Sequence, residues 1–436
     1  MHVNSALRVI CLLAVSSAAR ETVSKVDEQK FSVAKERRYL LYTVNPGEGF
    51  NLRRDVHMRV ANLVRQLREK GQNFVLVLPP WGGCYHWQTR LLGEQTRIPW
   101  SLFFDFESLN KFVPSIEFES FLEETNGAPI EKIYYLQHYK EGWKDGKWEE
   151  KWDERPCIEA DRHYFQDPGN PVVWYGWFWG YGDDRVHARQ LQCISIQGQA
   201  STLIPLIQQE QNSHLVSMQI DRAETILHDM FGDVYYWQAR RSMRYSKTLI
   251  YIADQYRLTE LNSTDEHDGT ILADDWREMK AKHGQAKGGN YISVHWRRKD
   301  FLYAHKKDLP SVEGTAAQIL KLVDRFKLPT VFLATDAPEA EVAKLVSFLP
   351  DRVELKRYKP SDQILREFKD GGVSIIDQWI CAHARYFIGS YVSTFSFRIH
   401  EDREIFGFDP STTFNRMCPD NESDCEQPAH WTIVYD

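Results

Sequence analysis

The sequence predicts an α/β protein made of two tandem halves, each built on a mostly parallel sheet. Three observations carry that expectation. Short apolar runs suited to strands alternate with helical spacing in the front of the chain and again in the rear. The 436 residues leave room for two domains of ordinary size. Between the two patterns lies a polar stretch, Asn262 to Asp268, which places the hinge to within about 20 residues. The expected domains are 20–255 and 256–436.

The front pattern is clearest from Tyr39 to Leu78. RYLLYTV reads as a strand ending at Val44. A helix follows from about Leu52 to Lys70, with Val56, Val60, Leu63, Val64 and Leu67 on one stripe. Gly71 fits its stop position, and NFVLVLPP reads as a strand buried on both faces. In such a βαβ unit the first loop, Asn45 to Asn51, lies where ligands bind, beyond the carboxyl ends of the strands. Its one carboxylate is Glu48, set between Gly47 and Gly49. Asn51 is the expected N-cap. Arg53 and Arg54 in the first turn oppose the macrodipole, so a negative partner is expected: a ligand phosphate or Glu48. An ordinary Pro-Gly turn with solvated arginines is the alternative.

Composition sets the compartment and excludes some partners. A net charge of -7, mixed in sign, argues against nucleic acid. Arg8 precedes VICLLAV, an apolar run far short of the roughly 20 residues that span a bilayer. With Ser16-Ser17-Ala18-Ala19 it reads as a signal peptide over residues 1–19. The mature chain then enters the secretory pathway, where its six remaining cysteines are free to oxidise. Six cysteines allow fifteen full pairings, so sequence does not fix connectivity. Cys418 with Cys425, close in a polar tail, and Cys157 with Cys193, bracketing an aromatic segment, are the pairs expected. Cys84 and Cys381 are expected to stay free and buried. Sequons at Asn262 and Asn421 lie in polar stretches suited to glycans.

From Trp81 to about residue 180 the periodicity fades. Nine of the 14 tryptophans lie there, either packing a loop-rich subdomain or forming a surface that grips protein or sugar. From Leu203 to Leu261 the pattern reads as helical, most clearly in AETILHDMFG and RRSMRYSKTLIYIADQYRLTEL. The rear half resumes strand-helix alternation. Strands are expected at Tyr291–Trp296, TVFLATD and VELKRY, and helices at Ala316–Phe326 and PEAEVAKLVSFL. IIDQWICAHARYFIGS reads as a helix running into a strand, and Ser393–Ser396 opens a last helix.

Three constellations carry chemistry. Alternation along the strand puts His295 and Arg297 on one face of the cluster His295-Trp296-Arg297-Arg298-Lys299-Asp300. An arginine there forks two bonds to a diphosphate; a salt-bridged strand end facing water is the alternative. Hydroxyls and N–H groups at Ser393–Ser396 suit a phosphate, or simple capping. Asp377 sits in an apolar segment and needs a partner: a base with two adjacent donors such as guanine, or Arg385. His383 reads as a satisfied structural histidine. No GxSxG, GxxxxGK[ST], HExxH or Asp-x-Asp motif is present, so no metal ligand set is expected.

Taken together, NPGEGFNLRRDV, HWRRKDF, the ATD strand end and DGGVSIIDQW…STFSFRIHE resemble the GDP-fucose protein O-fucosyltransferases, most closely the type that modifies thrombospondin type 1 repeats. The resemblance implies a GT-B fold, two Rossmann-like domains facing across a cleft. It implies inverting, metal-independent transfer of fucose from GDP-fucose to a Ser or Thr hydroxyl, by a monomer in the endoplasmic reticulum lumen. Glu48 matches the general base. Gly47, Gly49, Phe50 and Asn51 match the loop lining the sugar nucleotide. His295, Trp296 and Arg297 match nucleotide contacts, with Arg297 on the diphosphate. Asp377, Thr394 and Phe395 match positions around guanine and phosphates. Two readings stay open beside this one: an enzyme acting on EGF-like repeats, and a non-catalytic chaperone or binder.

Overall fold

A computed structural model describes residues 37–142, 148–182, 186–422 and 424–436. The expected leader and Ser423 of the second sequon lie outside these residues. So does Trp143 of the aromatic segment.

The described strands in chain order are β1 (Arg38–Tyr42), β2 (Phe74–Leu78), β3 (Ser115–Glu117), β4 (Lys132–Gln137), β5 (Lys151–Glu154), β6 (Tyr164–Gln166), β7 (Trp174–Gly176), β8 (Leu191–Gln197), β9 (Ser217–Asp221), β10 (Gly289–Trp296), β11 (Thr330–Thr335), β12 (Glu354–Lys356), β13 (Ala384–Gly389) and β14 (Asn415–Arg416). The helices of nine or more residues are α1 (Phe50–Glu69), α2 (Val234–Ser242), α3 (Lys247–Leu261), α4 (Val312–Phe326), α5 (Glu339–Ser347), α6 (Asp362–Ala382) and α7 (Thr394–Phe406).

The front sheet has the order β3-β2-β1-β9-β4-β8-β5 and is parallel except for the edge pair β5-β8. The rear sheet has the order β12-β11-β10-β13-β14 and is parallel throughout. The expected stripe of α1 is fully buried at all five positions, worth about 1.5–3 kcal/mol for each side chain. Gly71 follows at φ +79, a left-handed conformation that glycine adopts without strain. Alternation sorts β1 cleanly: Leu40 and Tyr42 face one core, Tyr39 and Leu41 the other. The first of these cores continues into the rear half through Phe332, Ile375 and Phe387, so the halves share one apolar interior. A third core covers the outer face of the rear sheet.

Several expectations fail, each for a visible reason. Asn51 is not the N-cap: α1 starts one turn-step earlier on Gly49, and the Asn51 side chain bonds Gln378 Nε2 at 2.8 Å instead. The stretch from Trp81 to about residue 180 is not wholly irregular, since its β3, β4 and β5 belong to the front sheet. Its aromatics mostly pack: Trp81, Trp100, Phe178 and Trp179 are buried, while Trp148 and Trp177 are exposed.

The stretch read as wholly helical contains β9, next to β1 in the sheet. Its polar residues hide it, because Gln219 and Asp221 are buried only through bonds to Tyr164 and Thr43. AETILHDMFG makes one short turn, Ala223–Thr225, because Arg59 takes the carbonyls of Glu224 and Ile226 (3.3 and 2.6 Å) that a helix needs. The next expected helix splits into α2 and α3. The Arg244 carbonyl and the Ser246 N–H instead pair with the backbone of Asp105 and Phe103. The expected boundary at 255/256 falls inside α3, which packs on α6 of the rear half.

Both expected disulfides are present, and Cys84 and Cys381 are free and buried. Asn262 is exposed at the end of α3. No described helix is long and apolar enough to cross a membrane.

A buried charge cluster ties α2 of the front half to α7 of the rear. Arg240 reaches Glu401 at 2.5 Å and Asp402 at 2.6 Å, and Arg398 reaches Glu401 at 2.8 Å. All four side chains are nearly shut from water. Removing one partner strands the others, so Arg240→Ala is expected to cost about 3–5 kcal/mol. A lowered unfolding midpoint in urea is the readout; an unchanged midpoint contradicts it.

Candidate active site

The halves face each other across a cavity of about 680 Å³. That volume falls in the range of small-molecule sites. From the front half it is lined by Gly47–Leu52 and Tyr85–Thr89. From the rear come His295, Arg297, Asp300, Asp336, Asp377 and the Val392–Phe395 turn. Both sets hang from the carboxyl ends of parallel strands, as in open α/β sheets generally. A second cavity of about 170 Å³, walled by aromatics such as Trp81 and Trp177, lies on the other side of the Asn45–Gly49 loop and holds none of the expected site residues.

Glu48 is half-buried on the rim of its loop. Its N–H donates to the Asn45 carbonyl at 2.9 Å, which closes the turn. Among the described residues no side chain is ion-paired to its carboxylate. Phe50 anchors the loop from below, buried edge-on against Trp81 and Phe103. Asn51 faces the cavity but is held by Gln378 of α6, which also accepts from Arg54 Nη1 at 2.7 Å.

His295 is the penultimate residue of β10 and is buried. Its ring stacks on Phe395 at 4.2 Å with a 19° interplanar angle, and its Nδ1 lies 2.9 Å from Ser396 Oγ. Burial, helped by the charge of Arg297, pushes its pKa down to about 3, so the imidazole is neutral. Ser393 caps α7 without a side-chain bond, and the first turn of α7 carries no acidic residue. Thr394 lies in that turn and lines the cavity.

Arg297 is both ion-paired and turned to the cavity. Its Nη2 donates to Asp300 at 2.7 Å and its Nη1 lies 3.0 Å from Asp336. From the front half, the His86 ring stands 3.0 Å from the same Nη2. Burial and the nearby Arg297 push the His86 pKa down to about 4, so it meets the guanidinium as a neutral ring.

Asp377 has no arginine partner: Arg385 is spent on Gly288 and Asn290. Asp377 Oδ1 is shut from water and makes no hydrogen bond among the described residues. Burial raises its pKa to about 8, with Arg357 opposing weakly from a distance. His383 is satisfied structurally, with Nδ1 2.7 Å from the Trp379 carbonyl.

Of the expected site residues, the structure brings Gly47, Glu48, Gly49, Phe50, Asn51, His295, Arg297, Asp377, Thr394 and Phe395 to one cavity. Trp296 is the exception. Strand alternation turns it to the opposite face, where it packs in the third core under Arg298. His86 was missed by the sequence reading. The available signal was its position just after the turn that ends β2, at a carboxyl strand end. Among the described residues no group of three or more His, Cys, Asp or Glu is arranged to hold a metal ion.

Two Rossmann-like halves with a polar cleft between strand ends define a nucleotide-sugar transferase of the GT-B class. The family model for GDP-fucose protein O-fucosyltransferase matches residues 39–406, and the chain belongs to that family. It is a fucosyltransferase. The "GDP-fucose protein O-fucosyltransferase 2" of Caenorhabditis elegans is 50% identical over 424 residues, covering 97% of this chain and 96% of that one. The Homo sapiens protein of the same name is 52% identical over 402 residues, covering 92% and 91%. Crystal structures of POFUT1 share the fold. The complex with GDP-fucose aligns with a TM-score of 0.55 at 16% identity, covering 87% of this chain and 98% of that one. The complex with GDP aligns with 0.54 at 15%, covering 88% and 99%.

The orphaned carboxyl of Asp377 has a consequence for stability. Unfolded, it ionises near its ordinary 3.8; folded, near 8. This group's contribution to stability is therefore full below pH 4 and is lost as pH rises toward 8. Asp377→Asn removes this titration. The variant without ligand is expected to gain stability over wild type, by an amount growing between pH 4 and 8, on the order of a few kcal/mol. Parallel melting curves across that range contradict the assignment.

Proposed function

We propose that this chain transfers fucose from GDP-fucose to a Ser or Thr hydroxyl of folded thrombospondin type 1 repeats. The transfer inverts the sugar's configuration, needs no metal, and takes place in the endoplasmic reticulum lumen. One observation carries the chemistry: Glu48 from the front half and Arg297 from the rear half line the same cleft. Inversion requires the acceptor oxygen to attack from the face opposite GDP. A carboxylate on that side takes the hydroxyl proton. On the other side, Arg297 and the start of α7 stabilise the departing diphosphate. The half-buried, unpaired carboxylate of Glu48 suits the first role. The second suits Arg297, whose guanidinium is already held in place by Asp300 and Asp336.

The remaining residues divide the nucleotide. Asp377, whose Oδ1 has no donor among the described residues, accepts two adjacent N–H groups of guanine as a carboxylate, the ionised form that those donors favour. His295, neutral and pinned by Phe395 and Ser396, offers a fixed ring beside the phosphates. The choice of acceptor rests on the sequence resemblance.

The deciding assay incubates the protein with GDP-fucose, chelator and either folded thrombospondin type 1 repeats or folded EGF-like repeats. Fucose is expected on Ser or Thr of the former alone. Transfer to EGF-like repeats reassigns the acceptor; tight repeat binding without transfer marks a non-catalytic binder; a strict metal requirement rejects the metal-free scheme. In the same assay Glu48→Ala is expected to lose at least 100-fold in kcat, on the order of a general base's contribution, while GDP affinity measured by calorimetry is kept. Arg297→Ala is expected to lose both. Near-normal turnover by Glu48→Ala rejects its assignment as the base.

A further inference from the structure

Arg53 sits in the first turn of α1, where a cation opposes the helix dipole and an anion is expected beside it. Among the described residues no carboxylate pairs with it. Its guanidinium donates instead to four backbone carbonyls: Glu48 at 3.1 Å, Pro46 at 3.0 Å, Gly82 at 2.7 Å and Gly83 at 3.3 Å. Two of these lie in the loop that carries Glu48. The other two open the segment that carries His86, the ring that meets Arg297. The two loops also touch directly: a side chain at Gly49 would place its Cβ 3.3 Å from the His86 ring.

We propose that Arg53 is a positioning residue, whose guanidinium fixes the Glu48 loop and the His86 segment against each other. It thereby sets where the base stands relative to Arg297. The proposal rests on the reading of Glu48 as the base.

The geometry favours arginine specifically. Carbonyls in a turn have no ladder partner and need donors from elsewhere. A planar fork with five N–H donors reaches two loops at once; an ammonium on a flexible stem does not hold both in one plane. The turn around Glu48 has other ties, the Glu48 N–H to the Asn45 carbonyl, the Arg53 N–H to the Gly49 carbonyl and the Asn45 N–H to the Glu224 carboxylate, but none of them reaches the His86 segment. Without the fork the carboxylate is left on a loop free to shift. A shift of about 1 Å at a reacting group is enough to cost on the order of 100-fold in rate.

The test compares Arg53→Lys and Arg53→Gln in the full secreted chain. Steady-state transfer and GDP affinity by calorimetry are both measured. Both variants are expected to lose at least tenfold in kcat, while GDP affinity and the KM for GDP-fucose stay within threefold. Combined with Glu48→Asp, which misplaces the same carboxylate by one methylene, Arg53→Gln is expected to add less than its separate loss. Unchanged kcat overturns the proposal. So does a loss of GDP affinity as large as the loss of kcat, or a fully multiplicative double variant. The base reading fails separately: it falls if Glu48→Ala keeps turnover, whatever Arg53 does. If Glu48→Ala is inactive while both Arg53 variants keep full kcat, only the positioning role falls.

Discussion

The cleft depends on a buried arginine that crosses between the halves. Arg54 rises from α1, fully shut from water, and donates to Gln378 of α6 and to Tyr245 at 2.9 Å. Tyr245 in turn donates to Asp402 at 3.0 Å, which joins this chain to the Arg240–Glu401 cluster. Two domains linked by a modest polar interface move relative to each other by default. Here a shared apolar core and a run of buried hydrogen bonds join them. Partial separation would uncover the shared apolar core and leave still-buried charges without their partners, which is unfavourable. Groups from both halves therefore meet across one cavity.

Within that cavity the protein's own groups compensate one another's charge. Arg297 is balanced by Asp300 and Asp336, and the histidines beside it are neutral through burial. In the proposed reaction a diphosphate would compete for an arginine that is already held in place, so little side-chain ordering would remain to be done on binding. Asp377 is the opposite case. Its desolvated carboxyl has an Oδ1 with no hydrogen-bond donor among the described residues, a local instability. The cavity is thus unsatisfied at Asp377 and charge-compensated at Arg297.

Most of the site was legible because its residues come in short runs at strand ends. Gly47-Glu48-Gly49 breaks an otherwise regular βαβ pattern, and His295 and Arg297 share a strand face by simple alternation. Asp377 stood out as an acid in an apolar helix. The same alternation, followed strictly, also removes Trp296 from the cavity, although family resemblance had placed it there. What escaped reading were contacts set by tertiary packing. His86 lies in a segment without periodicity, and its role comes only from meeting Arg297 across the gap. Strand β9 hid because Ser217, Gln219 and Asp221 alternate with its apolar Met218 and Ile220, and hydrogen bonds make Gln219 and Asp221 tolerable in the interior. Arg59 consumes the carbonyls of a segment that local propensity would make helical. In each case a polar group distant in sequence overrides the local pattern.

The central claim is that an acid of the front half and a cation of the rear half act on opposite faces of one sugar. A crystal structure of the protein with an unreactive GDP-fucose analogue and a folded thrombospondin type 1 repeat measures this most directly. The Glu48 carboxylate is predicted to lie about 2.6–3.2 Å from the acceptor hydroxyl, across the sugar from a diphosphate held by Arg297. Glu48 turned out of the cleft, or a diphosphate bound without Arg297, contradicts it.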